Sequence, residues 1–376
     1  MMNWETKRLN EVLNYEQPTK YIVETTNYED NYNTPVLTAG KSFLLGYTNE
    51  TDGIFKNVPA IIFDDFTTAF HYVDFPFKVK SSAMKILKCD ETKDDLRFLY
   101  YQMSRLKIDT QLHKRYWISK FSKLEFNRPL LKTQHRIVAI LDDAVALRDK
   151  TVQLLKEYDL LSQSIFMEMF GDPSSFDHYR ISEIAAKEKY SLSSGPFGSN
   201  LTSKHYTDKG VLILRGTNVT SGVLDLSNVK FVSEEKAVEL RRSALRPGDV
   251  VIVAVGSSGK ALKIPSTLQR AIMSQNFNKI TPDKNKVRPM YLEFCFNSQS
   301  VQNQFKMATT DTVRTFLSLT KIKKVKIPVP PIDLQNQFED KITLIEQQKE
   351  LAKQELKESE DLFNCLLQKA FKGELK

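Results

Sequence analysis

An internal repeat at a spacing of 201 residues constrains the fold of this chain more than any other feature of its sequence. Pro129–Gln134 lies over Pro330–Gln335, and the register continues downstream without a gap. Apolar residues in each copy recur at three- and four-residue steps, which is typical of a helix that buries one face. Prolines precede both copies and a glycine follows each of them, as expected at the two ends of a helix.

The two copies predict two long helices that pack against each other. Each helix is roughly 40 residues and therefore about 60 Å long at a rise of 1.5 Å per residue. Packing on separate cores is the alternative, but two matched apolar stripes favour mutual pairing as a coiled coil. The residues that we expect in this helix pairing are Ile137, Leu141, Leu147, Leu154, Leu161, Phe338, Ile342, Leu356 and Leu366.

The repeat extends upstream into two globular segments. Ala60–Asp65 and Asp249–Ala254 each have the pattern of a short buried strand. Met84–Leu99 and Phe277–Leu292 each couple a strand, a polar turn and a helix start. The sequence therefore predicts an α+β protein in which a globular segment and a helical segment alternate twice. The predicted boundaries are 1–118, 119–170, 171–321 and 322–376.

Basic residues concentrate in the second globular segment. The chain has a formal net charge of +8, but residues 171–328 alone carry +11 and residues 1–128 carry only +1. Because Lys and Arg neutralise phosphates, this concentration favours a polyanionic partner, and the alternative is solubility alone. No apolar run approaches the roughly 20 residues of a membrane span. Three scattered cysteines favour a reduced cytosolic protein without a zinc site.

Several short motifs, spread over nearly the whole chain, resemble the specificity subunits of type I restriction–modification systems. The segments that carry the resemblance, from most to least specific, are 124–134 and 326–335, then 194–199 and 367–371, then 246–250, 274–276, 38–41 and 63–68. The first helix lead-in departs from the family pattern, because Asn127-Arg128-Pro129 stands where a second Pro-x-Pro-Pro is expected. That departure blurs the segment boundary but leaves the helix pattern intact.

The resemblance implies two target-recognition domains held apart by two antiparallel helices, with each domain reading half of a bipartite DNA site through the major groove. It also implies that the helices, including the apolar residues named above, dock two methyltransferase subunits, which in turn recruit the restriction subunits. Because the two globular segments differ in sequence, the DNA site is expected to be asymmetric. S-adenosylmethionine, ATP and Mg²⁺ are expected on partner subunits, with no cofactor bound by this chain.

Candidate DNA contacts lie in or beside loops between predicted strands. Ser193–Ser199 is small, polar and rich in glycine, so its backbone is able to approach phosphates or base edges closely, although an ordinary turn has the same composition. In the second globular segment the candidates are Gly195, Phe197, Gly198, Ser199, Lys204, Arg215, Asn218, Ser257, Ser258 and Lys260. In the first globular segment they are Gly40, Lys41, Thr67, Thr68, Lys78, Lys80, Lys114 and Arg115. The alternative for the basic residues is an ordinary solvated surface.

Patterns that suggest catalysis are incomplete in this sequence. Gly256–Lys260 resembles a phosphate-binding loop, but Ala254 and Ala261 replace the glycine and the hydroxyl residue that such a loop requires. Asp64-Asp65 suggests a metal-dependent nuclease, but no Glu-x-Lys follows at close spacing, and a buried ion pair or a turn cap is favoured. The histidines are isolated, and methyltransferase, Walker and nucleophile-elbow motifs are missing from the sequence. We therefore expect a subunit without catalytic activity of its own.

Three other functions remain open at the level of the sequence. The chain has the pattern expected of a specificity subunit in a methyltransferase-only or type IIB-like complex as well. A stand-alone nuclease or ATPase would require turnover that depends on metal or ATP. A purely helical scaffold would bind no DNA even with the methyltransferase subunits present.

Overall fold

The computed structural model describes residues 4–40, 42–106, 115–220, 222–255, 258–308 and 316–375. The chain divides into two compact units, Met1–Gln153 with Lys353–Lys376, and Leu154–Ala352. The division falls inside both long helices, so each unit contains one globular part and a portion of each helix. We call the globular parts domain 1 and domain 2. The segment boundaries proposed from the sequence stay predictions, because the division into compact units falls inside the helices and does not test them.

The first unit contains domain 1 and the start of the first long helix. Its strands are β1 (Glu5–Arg8), β2 (Leu13–Glu16), β3 (Thr34–Leu37), β4 (Leu44–Thr48), β5 (Ala60–Asp64), β6 (Phe70–Val73), β7 (Lys78–Val79), β8 (Met84–Cys89) and β9 (Glu125–Arg128). Its helices are α1 (Leu9–Val12), α2 (Leu96–Arg105), α3 (Tyr116–Ser119) and the long α4 (Leu131–Phe170), which continues into the second unit.

The second unit contains domain 2 and the start of the second long helix. Its strands are β10 (His178–Arg180), β11 (Leu192–Ser194), β12 (Val211–Leu214), β13 (Val219–Thr220), β14 (Val223–Leu224), β15 (Lys230–Val232), β16 (Ala244–Leu245), β17 (Val250–Val253), β18 (Ala261–Lys263), β19 (Ala271–Met273), β20 (Phe277–Ile280) and β21 (Lys326–Pro328). Its helices are α5 (Ile181–Ile184), α6 (Glu234–Glu239), α7 (Pro289–Asn297), α8 (Gln299–Ala308), α9 (Leu319–Ile322) and the long α10 (Ile332–Phe371).

The two domains share one strand order although their sequences differ. One sheet has the order β2-β8-β5-β6 in domain 1 and β11-β20-β17-β18 in domain 2. In the other sheet, β3 pairs antiparallel with β4 and parallel with β7, just as β12 pairs antiparallel with β15 and parallel with β19. The strand patterns predicted at Ala60 and Asp249 are confirmed as the matching strands β5 and β17.

The matching strands β5 and β17 are buried on both faces. Ile61 and Phe63 belong to the apolar cluster that includes residues of α2 and α4, whereas Ile62 belongs to the cluster that reaches the second sheet. In β17, Val250 packs with residues of α7 and α10, and Val251 packs toward the second sheet. This alternation is the period of two that an extended strand imposes on its side chains. It explains why both strands are continuous runs of apolar residues.

Each domain is also tied to the strand that leads into its long helix. β1 pairs antiparallel with β9, with Lys7 opposite Phe126, and β10 pairs antiparallel with β21, with Tyr179 opposite Ile327. Phe126 and Ile327 are 4% and 0% exposed and stand 201 residues apart in the sequence. The chain therefore enters both helices from the same two-stranded pairing.

The two long helices confirm the repeat to the residue. Each contains 40 residues, and both their first and their last residues differ by 201 positions. Gly373, with a φ of 74°, ends α10 with hydrogen bonds from Gly373 N to Ala370 O and from Glu374 N to Lys369 O, which is the Schellman arrangement. Within the described part of the chain, no helix combines the length and the apolar character that crossing a membrane requires.

The helices run antiparallel, as the contacts inside each unit show. In the first unit, Leu141 near the start of α4 shares an apolar cluster with Phe371 at the end of α10. In the second unit, Phe170 at the end of α4 packs on Phe338 near the start of α10, with ring centroids 5.3 Å apart. Lys349 Nζ also lies 2.8 Å from Asp159 Oδ1 in the second unit.

Only part of the predicted helix pairing is buried. Ile137, Leu141, Phe338 and Ile342 are 3% exposed or less, and Leu154, Leu356 and Leu366 are half-buried. Leu147 and Leu161 are 51% and 46% exposed, so their predicted place in the helix pairing is wrong. The reason is that α4 carries two series of apolar residues whose members stand seven positions apart. One series is Ile137, Ala144, Tyr158 and Ile165, and it faces the core. The series that contains Leu147 and Leu161 lies on the flank of the helix.

The difference between the buried and the exposed side of α4 predicts unequal effects of truncation on stability. Leu141→Ala is expected to lower the free energy of unfolding by about 2–5 kcal/mol, because it removes fully buried methyl groups. Leu147→Ala, on the same helix, is expected to change it by about 0.5 kcal/mol or less. Urea unfolding of the full chain, followed by circular dichroism, measures both values. Equal losses for the two variants would contradict the assignment of the buried face.

Candidate nucleic-acid interface

Loops from separate parts of domain 2 meet where its strands end. Backbone N···O hydrogen bonds join Gly195 to Phe277, Ala254 to Asn276, and Ser274 to Leu214 at 2.9, 2.7 and 2.9 Å. We call the surface that these loops form loop edge 2. Its described segments are residues 194–199, 215–218, 254–255, 258–260 and 274–276. Two of the motifs that carry the family resemblance, at 194–199 and 274–276, therefore lie side by side.

Close packing explains the glycine at the start of this surface. A Cβ atom added to Gly195 would stand 1.9 Å from the carbonyl oxygen of Ser274, which no other residue type avoids without moving the backbone. The next residues project outward. Phe197 is 61% exposed, and Gly198 adopts a left-handed φ of 60°. The loop thus presents an aromatic side chain, with the exposed Ser199 beside it, on a backbone that is held in place at Gly195.

The basic candidates around loop edge 2 are accessible to different degrees. Lys204 is exposed, while Lys260 and Arg215 are half-buried. One guanidinium nitrogen of Arg215 donates a hydrogen bond to Asn228 O at 2.7 Å. Ser258 Oγ donates weakly to Ala254 O at 3.4 Å within its own turn. Of these groups, Lys204 has the most freedom to reach a phosphate.

Asn218 has a structural role in place of the predicted base contact. It is 2% exposed, and its Oδ1 accepts a hydrogen bond from Arg215 N at 3.1 Å. Its Nδ2 donates to the carbonyl oxygens of Asp225 and Asn228 at 2.9 and 3.0 Å. Because both amide hydrogens are used inside the domain, no donor is left for a base edge. The prediction for Asn218 is therefore corrected.

Domain 1 brings together the equivalent loops. The contacts that join them are Asp65 N to Ala83 O at 3.4 Å, Tyr116 N to Asp65 O at 2.8 Å, and His71 Nε2 to Gly40 O at 3.1 Å. We call this surface loop edge 1. Its described segments are residues 38–40, 42–43, 65–69, 80–83 and 115–117. It brings Gly40, Thr67, Thr68, Lys80 and Arg115 of the predicted contacts to one surface, where Thr67, Lys80 and Arg115 are exposed.

Lys78 is buried, which contradicts its predicted contact with DNA. It is 3% exposed, its Nζ lies 2.7 Å from Glu50 Oε2, and it donates to Asp52 O at 2.6 Å. Burial raises the pKa of Glu50, but hydrogen bonds from Lys78 and from the amides of Thr25 and Glu24 outweigh it and hold this pKa below its ordinary value. Lys78 thus neutralises an internal carboxylate, and its neighbour Lys80 is the accessible lysine.

The adjacent acids Asp64 and Asp65 act as a turn cap and a buried ion pair, as predicted. Asp64 Oδ1 accepts hydrogen bonds from the amides of Phe66 and Thr67 at 2.7 and 3.0 Å. Asp65 Oδ2 lies 3.1 Å from Lys85 Nζ, with both side chains buried. Among the residues that the structure describes, no cluster of His, Cys, Asp and Glu is arranged to hold a metal ion.

Three predicted contacts fall outside the described residues. They are Lys41, Lys114 and Ser257.

The two loop edges are built alike but carry different side chains. In domain 1 the Asp65 carbonyl accepts from Tyr116 N, and in domain 2 the Ala254 carbonyl accepts from Leu317 N at 3.1 Å. Lys85 on β8 occupies the place of Asn278 on β20, which donates to Leu317 O at 2.9 Å. One backbone arrangement is thus supported by different buried side chains. Its exposed residues differ as well, with Thr67, Lys80 and Arg115 in domain 1 and Phe197 and Ser199 in domain 2.

Two buried glutamines, one at the start of each long helix, were missed by the reasoning from sequence. Gln134 and Gln335 are both 0% exposed and stand 201 residues apart. The available signal was that, in the alignment of the two lead-ins, only the glutamines and Pro129 with Pro330 are identical.

Comparison with known proteins agrees with the repeat. A family model described as "Type I restriction modification DNA specificity domain" matches residues 1–157 and 202–360. The chain is 32% identical over 346 residues to the type I restriction enzyme EcoR124I/EcoR124II specificity subunit of Escherichia coli, covering 88% of this chain and 83% of that protein. It is 21% identical over 384 residues to the MjaVIII specificity subunit of Methanocaldococcus jannaschii, covering 95% and 89%.

The fold is also similar to a solved structure. The crystal structure of the S subunit of a type I restriction–modification system from M. genitalium matches with a TM-score of 0.59 at 17% identity. The match covers 98% of this chain and 96% of that one. At this identity the similarity concerns the fold, namely two mixed α/β domains with two long helices.

The burial of Lys78 and the exposure of Lys80 predict opposite consequences of two similar substitutions. Lys80→Ala is expected to change the free energy of unfolding by no more than about 0.5 kcal/mol. It is also expected to lower the slope of log affinity against log salt concentration by about one, which corresponds to one phosphate contact. Lys78→Ala is expected to cost about 3–5 kcal/mol of stability, because it leaves Glu50 buried without its partner. Thermal unfolding and DNA affinity at several salt concentrations, measured in the assembled complex, separate the two effects. An unchanged salt slope for Lys80→Ala would remove this residue from the interface.

Proposed function

Because this chain belongs to the family of type I restriction–modification DNA specificity proteins, we propose that it reads an asymmetric, bipartite DNA site as the specificity subunit of such a complex. The observation that carries the proposal is the pair of loop edges. Two domains with one strand order present different side chains at the same place. Two surfaces that differ in this way are suited to two different base sequences.

Recognition and catalysis are divided between subunits in this proposal. The chain supplies DNA recognition, while methyltransferase and restriction subunits supply S-adenosylmethionine, ATP and Mg²⁺ chemistry. The buried pairing of Asp65 with Lys85 and the turn-capping role of Asp64 support this division, because both carboxylates have structural roles within domain 1. Domain 2, with most of the net positive charge, contributes the larger share of phosphate contacts.

Exposed leucines on the long helices support a docking role for these helices. Single exposed apolar residues are ordinary, but here they recur along two helices. The exposed residues are Leu147, Leu160, Leu161 and Met167 on α4, and Leu344, Leu351 and Leu362 on α10. In the proposed complex two methyltransferase subunits cover these side chains and recruit the restriction subunits.

Exchange of one domain tests the recognition proposal. Residues 13–119 or 185–322 are replaced by the matching segment of a relative with another DNA target, which leaves the β1–β9 and β10–β21 pairings and both helices unchanged. The chimera is co-expressed with the methyltransferase subunit, and methylated adenines are mapped by long-read sequencing. We expect each exchange to change one half of the methylated motif and to keep the other half. A motif that stays the same after both exchanges would contradict recognition by this chain.

Charge placed on the exposed leucines tests the docking proposal. The double variant Leu147→Arg with Leu161→Arg is expected to weaken association with the methyltransferase subunit by about 100-fold or more, since each buried leucine contributes about 1.5–3 kcal/mol. Titration of the labelled subunit measures the dissociation constant. Met307→Arg is the control, because Met307 is 87% exposed and belongs to α8 and to neither long helix. Equal affinities for the double variant and the control would locate the docking surface elsewhere.

A further inference from the structure

The same hydrogen-bonded clamp appears at the start of both long helices. In the first unit, Gln134 Oε1 accepts from Asp95 N at 2.8 Å, and its Nε2 donates to Pro129 O at 3.0 Å and to Asp94 Oδ1 at 3.1 Å. We call this arrangement the glutamine clamp. It joins the long helix α4 to the residue that caps α2 of domain 1.

The second unit repeats the clamp with other neighbours. Gln335 Oε1 accepts from Arg288 N at 2.8 Å, and its Nε2 donates to Pro330 O at 2.7 Å and to Lys286 O at 3.0 Å. Arg288 precedes α7 as Asp95 precedes α2. Two of the three hydrogen bonds are therefore the same in both units. A backbone amide just before a domain helix donates to Oε1, and Nε2 donates to a proline carbonyl five residues earlier. The third acceptor differs, since it is Asp94 Oδ1 in the first unit and Lys286 O in the second.

The clamp has a directional character that most other ties between domain and helix lack. Aromatic contacts such as Phe98 with Phe371 and Tyr291 with Phe170 bury area, and burial of apolar area is non-directional. A buried amide with three short hydrogen bonds is satisfied in one orientation only. Rotation would leave its donors and its acceptor buried without a hydrogen-bond partner. The clamp therefore restricts rotation of the domain on its helix.

Other polar contacts also tie each domain to its own helix. In the first unit Arg97 Nε and the Tyr101 hydroxyl donate to Asp142 Oδ1. In the second unit Arg288 Nε donates to Asn336 Oδ1 and lies 3.8 Å from Glu339 Oε2. The two arginines are partly exposed, whereas the glutamines are 0% exposed. Loss of a glutamine clamp is thus expected to loosen the domain without detaching it.

We propose that Gln134 and Gln335 are positioning residues that fix the orientation of each recognition domain on its helix, and through it the spacing between half-sites that the complex accepts. The proposal rests on the function proposed above. A domain free to swivel carries its loop edge with it. The complex then engages half-sites at separations that the intact clamp excludes.

The test measures spacer choice together with total activity. Gln134→Met and Gln335→Met keep the length of the side chain and remove its hydrogen bonds. Each full-length variant is assembled with its methyltransferase subunits. The substrate is a DNA library that contains both half-sites, with spacers of the native length and one or two base pairs longer or shorter. Methylation of each library member is read by sequencing.

We expect both variants to raise methylation at non-native spacers, relative to the native spacer, by about fivefold or more, which is the usual scale of a coupling that rests on a few hydrogen bonds. The base sequences of the half-sites are expected to stay the same. Asn297→Leu is the matched control, because the Asn297 amide makes two hydrogen bonds to Ala261 inside domain 2 and none to α10. It is expected to lower total methylation with no change in spacer choice.

Native spacer choice in both methionine variants, with losses of activity like that of the control, would reduce the glutamines to a merely stabilising role. If a methionine variant fails to assemble, Gln335→Asn takes its place, since its amide stays polar but is one methylene too short to reach all three partners. A wild-type complex that methylates no bipartite site would overturn the proposed function itself. That outcome is distinct from a wild-type motif that the variants leave unchanged.

Discussion

The antiparallel packing of α4 on α10 is the interaction on which the rest of the structure depends. Buried positions follow one another at steps of three and four residues, as in a coiled coil, and several of them are hydroxyl residues. Thr151 and Ser162, which are 6% and 4% exposed, return their hydroxyls to the carbonyl oxygens of Leu147 and Tyr158 at 3.1 and 2.9 Å. The helix pair thus buries small polar residues without leaving them unpaired. Apolar and aromatic residues are concentrated instead at the helix ends, where each domain joins both helices in one core.

This shared core explains how the two domains diverge in sequence while the fold stays the same. The positions that face the helices carry apolar residues in both domains, such as Phe63 in β5 and Ile252 in β17. The positions at the loop edges are released from that requirement. Below the loop edges, the Lys85–Asp65 ion pair in one domain and the hydrogen-bonded Asn278 in the other support the same backbone arrangement. A scaffold that separates packing residues from surface residues in this way allows new recognition surfaces to arise without loss of the core.

The existence and approximate length of both helices were predictable, because prolines and glycines mark helix ends locally and the 201-residue repeat shows the same pattern twice. The burial of individual side chains was less predictable. Leu147 belongs to an apolar series with the correct period, and only the position of the second helix decides that the neighbouring series is buried. Lys78 alternates with Phe77 and Val79 as on a half-exposed strand, but Glu50 and Asp52 from distant sequence cover it. Asn218 has the side chain of a base reader, yet carbonyl groups seven and ten residues away use its donors.

The unequal charge of the two domains is compatible with joint recognition for a physical reason. A domain with a net charge near zero gains little from phosphates alone, whereas a strongly basic domain gains a great deal. When both are carried on the same two helices, binding by the basic domain raises the effective concentration of the other half-site around its weaker partner. That gain is lost when the geometry forbids simultaneous engagement. The rigidity of the joint between each domain and its helix therefore determines how sharply the protein discriminates by spacing, independently of how well each loop edge reads its bases.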